Sequence, residues 1–326
     1  AYFSTQSSTL PAAMATGNLT LRPFSIVNSV IYDKEKGRAK GVRVIDAESN
    51  ETMEFYSRII FLNGSTLGTS FMLLNSVSEA FPDGLGNSSG QVGHNLMDHH
   101  YRIGASGKAE GFDDKYYYGR RPIGIYIPRF RNIGNDKREY LRGFHYGGSA
   151  SRTGWQRAIA EMNYGADFKE ESTTPGPWIM GLGGFGEALP YYENHVSLDR
   201  SRKDKWGQPV LSIDCEFREN ERKMRVDMAN DAAEILEAAG MKDVKSFDNE
   251  SFPGMAIHEM GTARMGHDPK TSVLNKWNQM HEVKNVFITD GSCMTSSACQ
   301  NPSLTYMALT ARACDYAITE LKKMNL

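Results

Sequence analysis

The last part of the chain fixes an unusual order of local structures. A histidine, His258, lies in the glycine-containing run "IHEMGTARMGHDP". An apolar strand follows over Asn285–Thr289, then an Asp290-Gly291-Ser292 turn, an Asn301-Pro302 step and a helix of small residues beginning near Asn301. Glycines beside the histidine let the backbone pass close to a flat ligand, because they lack a Cβ. Backbone amides at a helix start favour electron-rich groups. A strand, a tight turn and a helix start in succession therefore read as a binding edge, with His258 and Asn301 brought together only by folding, since 43 residues separate them.

Upstream, residues 1–20 are rich in Ser, Thr, Ala and Gly without clear periodicity and read as a loop or a lone helix. The β-branched run from Leu19 to Val30 is extended, and the segment after Gly37 reads as a hairpin returning into a buried strand, Ile59–Leu62. That strand ends at Asn63-Gly64, after which Ser65 and Thr66 stand as caps of a helix. From Tyr101 to Met255 the chain is aromatic-rich and alternating, the pattern of an antiparallel sheet. A helix from Glu219 to Ala239, stopped by Gly240, interrupts it. The fold class expected is α/β combined with α+β. Residues 1–100 and 256–326 form one domain, and 101–255 form an inserted antiparallel-sheet domain for substrate.

Composition excludes several classes. With 37 basic and 39 acidic residues the formal net charge is -2, so no nucleic-acid or anionic-membrane partner is implied. Apolar runs fall far short of the ~20 residues that cross a bilayer, so no integral membrane segment is expected. The four cysteines lack metal-type pairing and are too sparse for a disulfide scaffold, which leaves the compartment open between cytoplasm and periplasm. Asp98, His94, His99 and His100 cluster in sequence, but adjacent loop histidines rarely converge on one ion. A structural role is expected for them, and no metal.

The carboxy-terminal order resembles the signature of the glucose-methanol-choline (GMC) flavoprotein oxidoreductases. "GQVGHNLMDHH" resembles the family's Val-Gly-x-Asn-Leu-x-Asp-His loop, and Ile59–Gly64 with the following helix resembles its apolar strand and Ala-Gly turn, with Asn63 in place of Ala. The resemblance implies FAD as cofactor and oxidation of a CH–OH group, with a hydride passing to flavin N5. It places His258 at the first catalytic position, as the base, and Asn301 at the second, where members carry His or Asn. It also places Val27, Gly64, Asp290, Gly291, Ser292, Asn301 and Pro302 around the cofactor. A histidine suits removal of the hydroxyl proton because its pKa lies near neutrality. An amide donates to the substrate oxygen without competing for that proton. Taken alone, His258 or Asn301 reads equally as a turn residue; the combination is what is specific.

By the same resemblance the substrate is a small-molecule alcohol, sugar or sugar derivative, and the electron acceptor is oxygen, a quinone or a cytochrome. Tyr116 to Tyr118, Trp155 and Trp178 are candidates for stacking on a sugar. Neither "LNGSTLGTS" nor "GLGGFGEAL" carries the Gly-x-Gly-x-x-Gly dinucleotide fingerprint with its acidic residue ~20 positions on. The chain is therefore expected to be the carboxy-terminal portion of a longer enzyme, lacking the amino-terminal Gly-rich unit and holding an incomplete FAD-binding domain. The alternative is a non-catalytic scaffold fragment that needs a separate amino-terminal segment to bind FAD. A hydrolase using Ser65 or Ser292 is excluded, since neither stands in Gly-x-Ser-x-Gly.

Overall fold

In the computed structural model, which describes residues 3–114, 124–152, 154, 164–173 and 175–326, the apolar positions gather into two main cores. The chain begins with helix α1 (Thr9–Ala15), strands β1 (Ser25–Asp33), β2 (Arg38–Asp46), β3 (Thr52–Tyr56) and β4 (Ile60–Leu62), and helix α2 (Ser65–Asn75). Next come β5 (His100–Ala109), β6 (Ile125–Ile127), β7 (Phe144–Arg152), α3 (Gly165–Thr173), β8 (Trp178–Gly186), β9 (His195–Lys203) and β10 (Pro209–Asp214). The remainder is α4 (Glu219–Ala238), β11 (Lys242–Asp248), β12 (Val286–Ile288) and α5 (Ser303–Lys322).

The first core is built on two short strands far apart in sequence. β4 and β12 run parallel, with Ile60, Phe61 and Leu62 opposite Val286, Phe287 and Ile288. Every residue is apolar because both faces are covered, the usual pattern of parallel strands. Leu62 and Ile288 face α2 through Met72 and Leu73, while Phe287 faces α5 through Ala313 and Ala317, whose small side chains let the helix come close. β1, β2 and β3 form an antiparallel sheet beside this pair, with Val30 joining the first core.

The second core lies between a five-stranded antiparallel sheet, in the order β11-β5-β8-β7-β6, and α4. Met224, Met228, Ala232 and Leu236 recur at four-residue spacing and present one stripe of α4 to Ile103, Phe144, Tyr146 and Leu182. Gly240, at φ +85°, ends this helix in a left-handed turn that glycine adopts without a Cβ clash. "GLGGFGEAL" is strand β8 and its exit, and two of its glycines serve packing: a Cβ on Gly184 would lie 2.4 Å from Met228 and one on Gly186 2.2 Å from the His100 ring.

Several local expectations are corrected. Ser65 and Thr66 do not cap α2; the position before the helix is Gly64, whose N–H donates to Thr69 Oγ1 at 3.1 Å. The carboxy-terminal helix does start near Asn301, at Ser303 with Pro302 as its cap residue, and a short 3₁₀ turn, Gly291–Cys293, precedes it. The β9–β10 hairpin, although inside 101–255 in sequence, docks on the first core's sheet: Asn28 Nδ2 donates to Gln208 Oε1 at 3.0 Å and Trp206 Nε1 to the Ala47 carbonyl at 3.5 Å. Helix α1 buries no residue, as a lone helix would. Among the described residues no helix is long and apolar enough to cross a membrane.

Candidate active site

The site forms where the loop after α2 meets the loop before β12. Asp98, 1% exposed, joins them. Its Oδ1 accepts from the backbone N–H of His99 at 2.8 Å and of His258 at 3.1 Å, and its Oδ2 accepts from Gly254 at 2.8 Å and Ala256 at 3.2 Å. A carboxylate is an acceptor-only group with room for four donors, so one side chain holds both loops. Between two of those donors sits Ile257 at φ +57°, a conformation that a β-branched residue adopts only under constraint. Its side chain is 79% exposed, so the constraint comes from its neighbours' bonds and not from packing.

This clamp aims His258 at two partners. His258 Nδ1 lies 2.8 Å from His99 Nδ1, and His258 Nε2 lies 3.5 Å from Asn301 Nδ2. The two residues paired in the sequence reading are thus brought together, in a long contact with room to tighten around a third group. The His99 and His258 rings meet edge to face, 5.0 Å between centroids and at 85°. His99 itself is 1% exposed, and its Nε2 reaches the carbonyls of Ala298 at 3.0 Å and Ser297 at 3.3 Å. Burial, reinforced by the nearby His258, lowers its pKa to about 4. Sequence reasoning gave His99 only a structural role and missed this contact; the signal available was its place in the Asp98-His99 pair.

The five-stranded sheet supplies the opposite wall. Phe144 and Tyr146 point to α4, so strand alternation puts His145 on the other face. There its ring stacks on Phe185, 5.2 Å apart and 3° from parallel, and Phe185 stacks in turn on Tyr101 at 5.4 Å. Burial also lowers the His145 pKa. Glu187, 3% exposed, accepts from the Ser296 hydroxyl and lies 3.7 Å from Arg142 Nε. Trp178 donates to the Phe112 carbonyl at 2.8 Å; Tyr116 to Tyr118 and Trp155 lie outside the described residues.

Four of the expected cofactor residues occupy two turns at the carboxyl ends of the parallel strands. Gly64 follows β4, and Asp290, Gly291 and Ser292 follow β12. In open α/β sheets this edge is where ligands bind. Thr69 Oγ1 donates to Asp290 Oδ2 at 2.6 Å, and Thr289 donates to Asn63 Oδ1 through both its N–H and its hydroxyl at 3.0 Å, so side chains tie the turns together. Asn63, in place of the family's usual Ala, is therefore a cross-link. Asp290 also accepts from Ser292 N at 3.0 Å and Ser292 Oγ at 2.5 Å, which commits its carboxylate to shaping the turn. Gly291 is required by close approach: a Cβ there would stand 2.5 Å from the Glu259 carbonyl beside His258. Val27 and Gly64 line an apolar cleft of about 940 Å³ between β1–β4, α2 and the β9–β10 hairpin. Asn301 and Pro302 lie at the start of α5, and Asn301 alone of these also reaches His258. No cluster of His, Cys, Asp or Glu among the described residues is arranged to hold a metal ion.

Comparison with known proteins agrees with this architecture. The chain is 32% identical to 2-methyl-1,2-propanediol dehydrogenase of Mycolicibacterium austroafricanum, over 94% of this chain and 55% of that protein. It is 27% identical to the fructose dehydrogenase large subunit of Gluconobacter japonicus, over 91% of this chain and 54% of that protein. The chain thus spans about half the length of the curated relatives it matches. Among solved structures, an FAD-dependent oxidoreductase from Chaetomium thermophilum shares the fold with a TM-score of 0.58 at 12% identity, covering 96% of this chain and 64% of that one. The carboxy-terminal model of the GMC oxidoreductases matches residues 190–310, and the amino-terminal model matches residues 1–101. The second match does not support the expectation that the chain lacks the family's amino-terminal unit. β1 to β4, α2 and the Asp98-His99 loop all lie within it. Two matches to one family, covering more than half of the chain between them, and a relative at 32% identity place it: the chain belongs to the GMC oxidoreductase family.

Proposed function

We propose that this chain carries the proton-accepting and substrate-orienting residues of an FAD-dependent oxidoreductase acting on the CH–OH group of an alcohol, sugar or sugar derivative. The observation that supports this most is the approach of His258 Nε2 to Asn301 Nδ2, 3.5 Å apart across 43 residues of sequence. His258 Nε2 takes the hydroxyl proton, and the Asn301 amide donates to the substrate oxygen as its carbon is oxidised. FAD, when bound, supplies the hydride acceptor. Val27, Gly64, Gly291, Ser292, Asn301 and Pro302 would hold it, with Asp290 fixing the second turn from within. The donor chemistry fits such a group: backbone amides at strand ends, and glycines where backbone and ligand must approach closely.

In this reading residues 1–100 and 256–326 make the flavin-binding part, and 101–255 present the substrate wall of His145, Phe185 and Tyr101, with the β9–β10 hairpin packed on the flavin side. The relatives named for a diol and for fructose favour a polyhydroxylated substrate.

The experiment is to incubate the chain with FAD, remove unbound flavin by gel filtration, and record the visible spectrum before and after anaerobic addition of a vicinal diol, fructose or gluconate. A retained flavin band bleached by one of these is expected. A chain that retains no flavin, or a retained band that no alcohol or sugar bleaches, refutes the proposal.

A further inference from the structure

His258 has two ring nitrogens, and which of them is free to take a proton depends on its neighbour. The carbonyl oxygens of Ala298 and Ser297 only accept hydrogen bonds, so His99 Nε2, 3.0 Å and 3.3 Å from them, carries hydrogen and donates. His99 is 1% exposed and burial holds its pKa down to about 4, so at neutral pH the ring is uncharged and its Nδ1 bears a lone pair. The atom 2.8 Å from that lone pair is His258 Nδ1, which must then be the donor. In the uncharged ring of His258 the nitrogen without hydrogen is then Nε2, the one beside Asn301.

Among the described residues no other group contests this assignment. Asp98 spends its carboxylate on four backbone N–H groups. Burial raises the pKa of Glu259, and among the described residues no carboxylate is hydrogen-bonded to either ring. We propose that His99 is a positioning residue that locks His258 in the Nδ1–H tautomer, so that the basic lone pair lies on Nε2 next to Asn301. The inference rests on the reading of His258 as the base. A carboxylate in the place of His99 would orient His258 equally well but would also favour its charged form before substrate arrives. A neutral imidazole fixes the tautomer without that cost, and once Nε2 is protonated the Nδ1–H bond becomes charge-assisted.

The test is ¹⁵N labelling of the histidine rings in the 326-residue chain, followed by long-range ¹H–¹⁵N correlation at neutral pH. Protonated and bare ring nitrogens are well separated in shift, and the two residues are assigned by loss of their signals in His258→Gln and His99→Gln. His258 is expected with hydrogen on Nδ1 and His99 with hydrogen on Nε2; His258 protonated on Nε2, or averaged between tautomers, overturns the proposal. Two variants separate positioning from a structural role. His99→Asn puts an amide oxygen near the Nδ1 position and should keep the His258 tautomer. His99→Gln keeps a donor towards residues 297 and 298 but loses the acceptor, and should give an averaged signal. A lock retained in Gln, or one equally present or absent in both variants, overturns the inference. The readout needs neither flavin nor turnover, so its failure is distinct from failure of the base assignment.

Discussion

Asp98→Ala tests whether the site is held by one buried carboxylate. Four backbone N–H groups converge on it, and two belong to the buried residues His99 and Ala256, which have no water to turn to. Leaving a buried donor unpaired costs about 1–3 kcal/mol, so those two set a loss of roughly 2–6 kcal/mol, while Gly254 and His258 recover part of theirs from solvent. Against a total stability of ~5–15 kcal/mol this is a large fraction. Asp98→Asn keeps one accepting oxygen but turns an NH₂ towards two donors, and should fall between wild type and Ala. Urea unfolding followed by tryptophan fluorescence gives these differences as shifts in midpoint at constant slope. Amide exchange at Gly254, Ala256 and His258 should accelerate in the Ala variant before global unfolding. A cost for Ala within about 0.5 kcal/mol of zero, the range of ordinary surface changes, would refute the clamp.

Three further outcomes are expected. Gly186→Ala drives a Cβ to 2.2 Å from the His100 ring and should cost about 1–3 kcal/mol by overpacking, read from the same urea curves. Ile257→Gly relieves a left-handed β-branched residue whose side chain is 79% exposed, and should raise stability by up to about 1 kcal/mol; a loss would mean that the side chain contributes. Burial lowers the pKa of His99 to about 4 and of His100 to about 3, from an ordinary 6.5. The unfolded chain therefore binds these protons first, so stability is full above pH 6.5 and falls as pH drops towards 4; a flat profile across that window would contradict their burial as neutral rings.

How much of this was legible in the sequence follows from what each residue needed. Strand β12 with its Asp290-Gly291 turn, and helix α4 ended by Gly240, declare themselves through local pattern, and both lie within a residue or two of where the sequence puts them. The pairing of β4 with β12 rests on contacts more than two hundred residues apart along the chain, which no local pattern records. His99 and Asp98 were visible as residue types but not as partners, because their roles lie in bonds to backbone and ring atoms of the 254–258 and 297–298 loops. The cross-link made by Asn63, which the sequence shows only as a departure from Ala, was hidden for the same reason: side-chain bonding to Thr289 leaves no periodic trace. Of the β8 glycines, Gly184 and Gly186 are explained only by the packing of Met228 and His100, which leaves no pattern in the sequence.

The central claim is that His258 accepts the substrate proton, and the direct measurement is the anaerobic rate of flavin reduction in flavin-loaded wild type and His258→Ala under saturating substrate. Loss of a positioned general base predicts a fall of about 10²–10⁴-fold with flavin content unchanged. Reduction at the wild-type rate would contradict it.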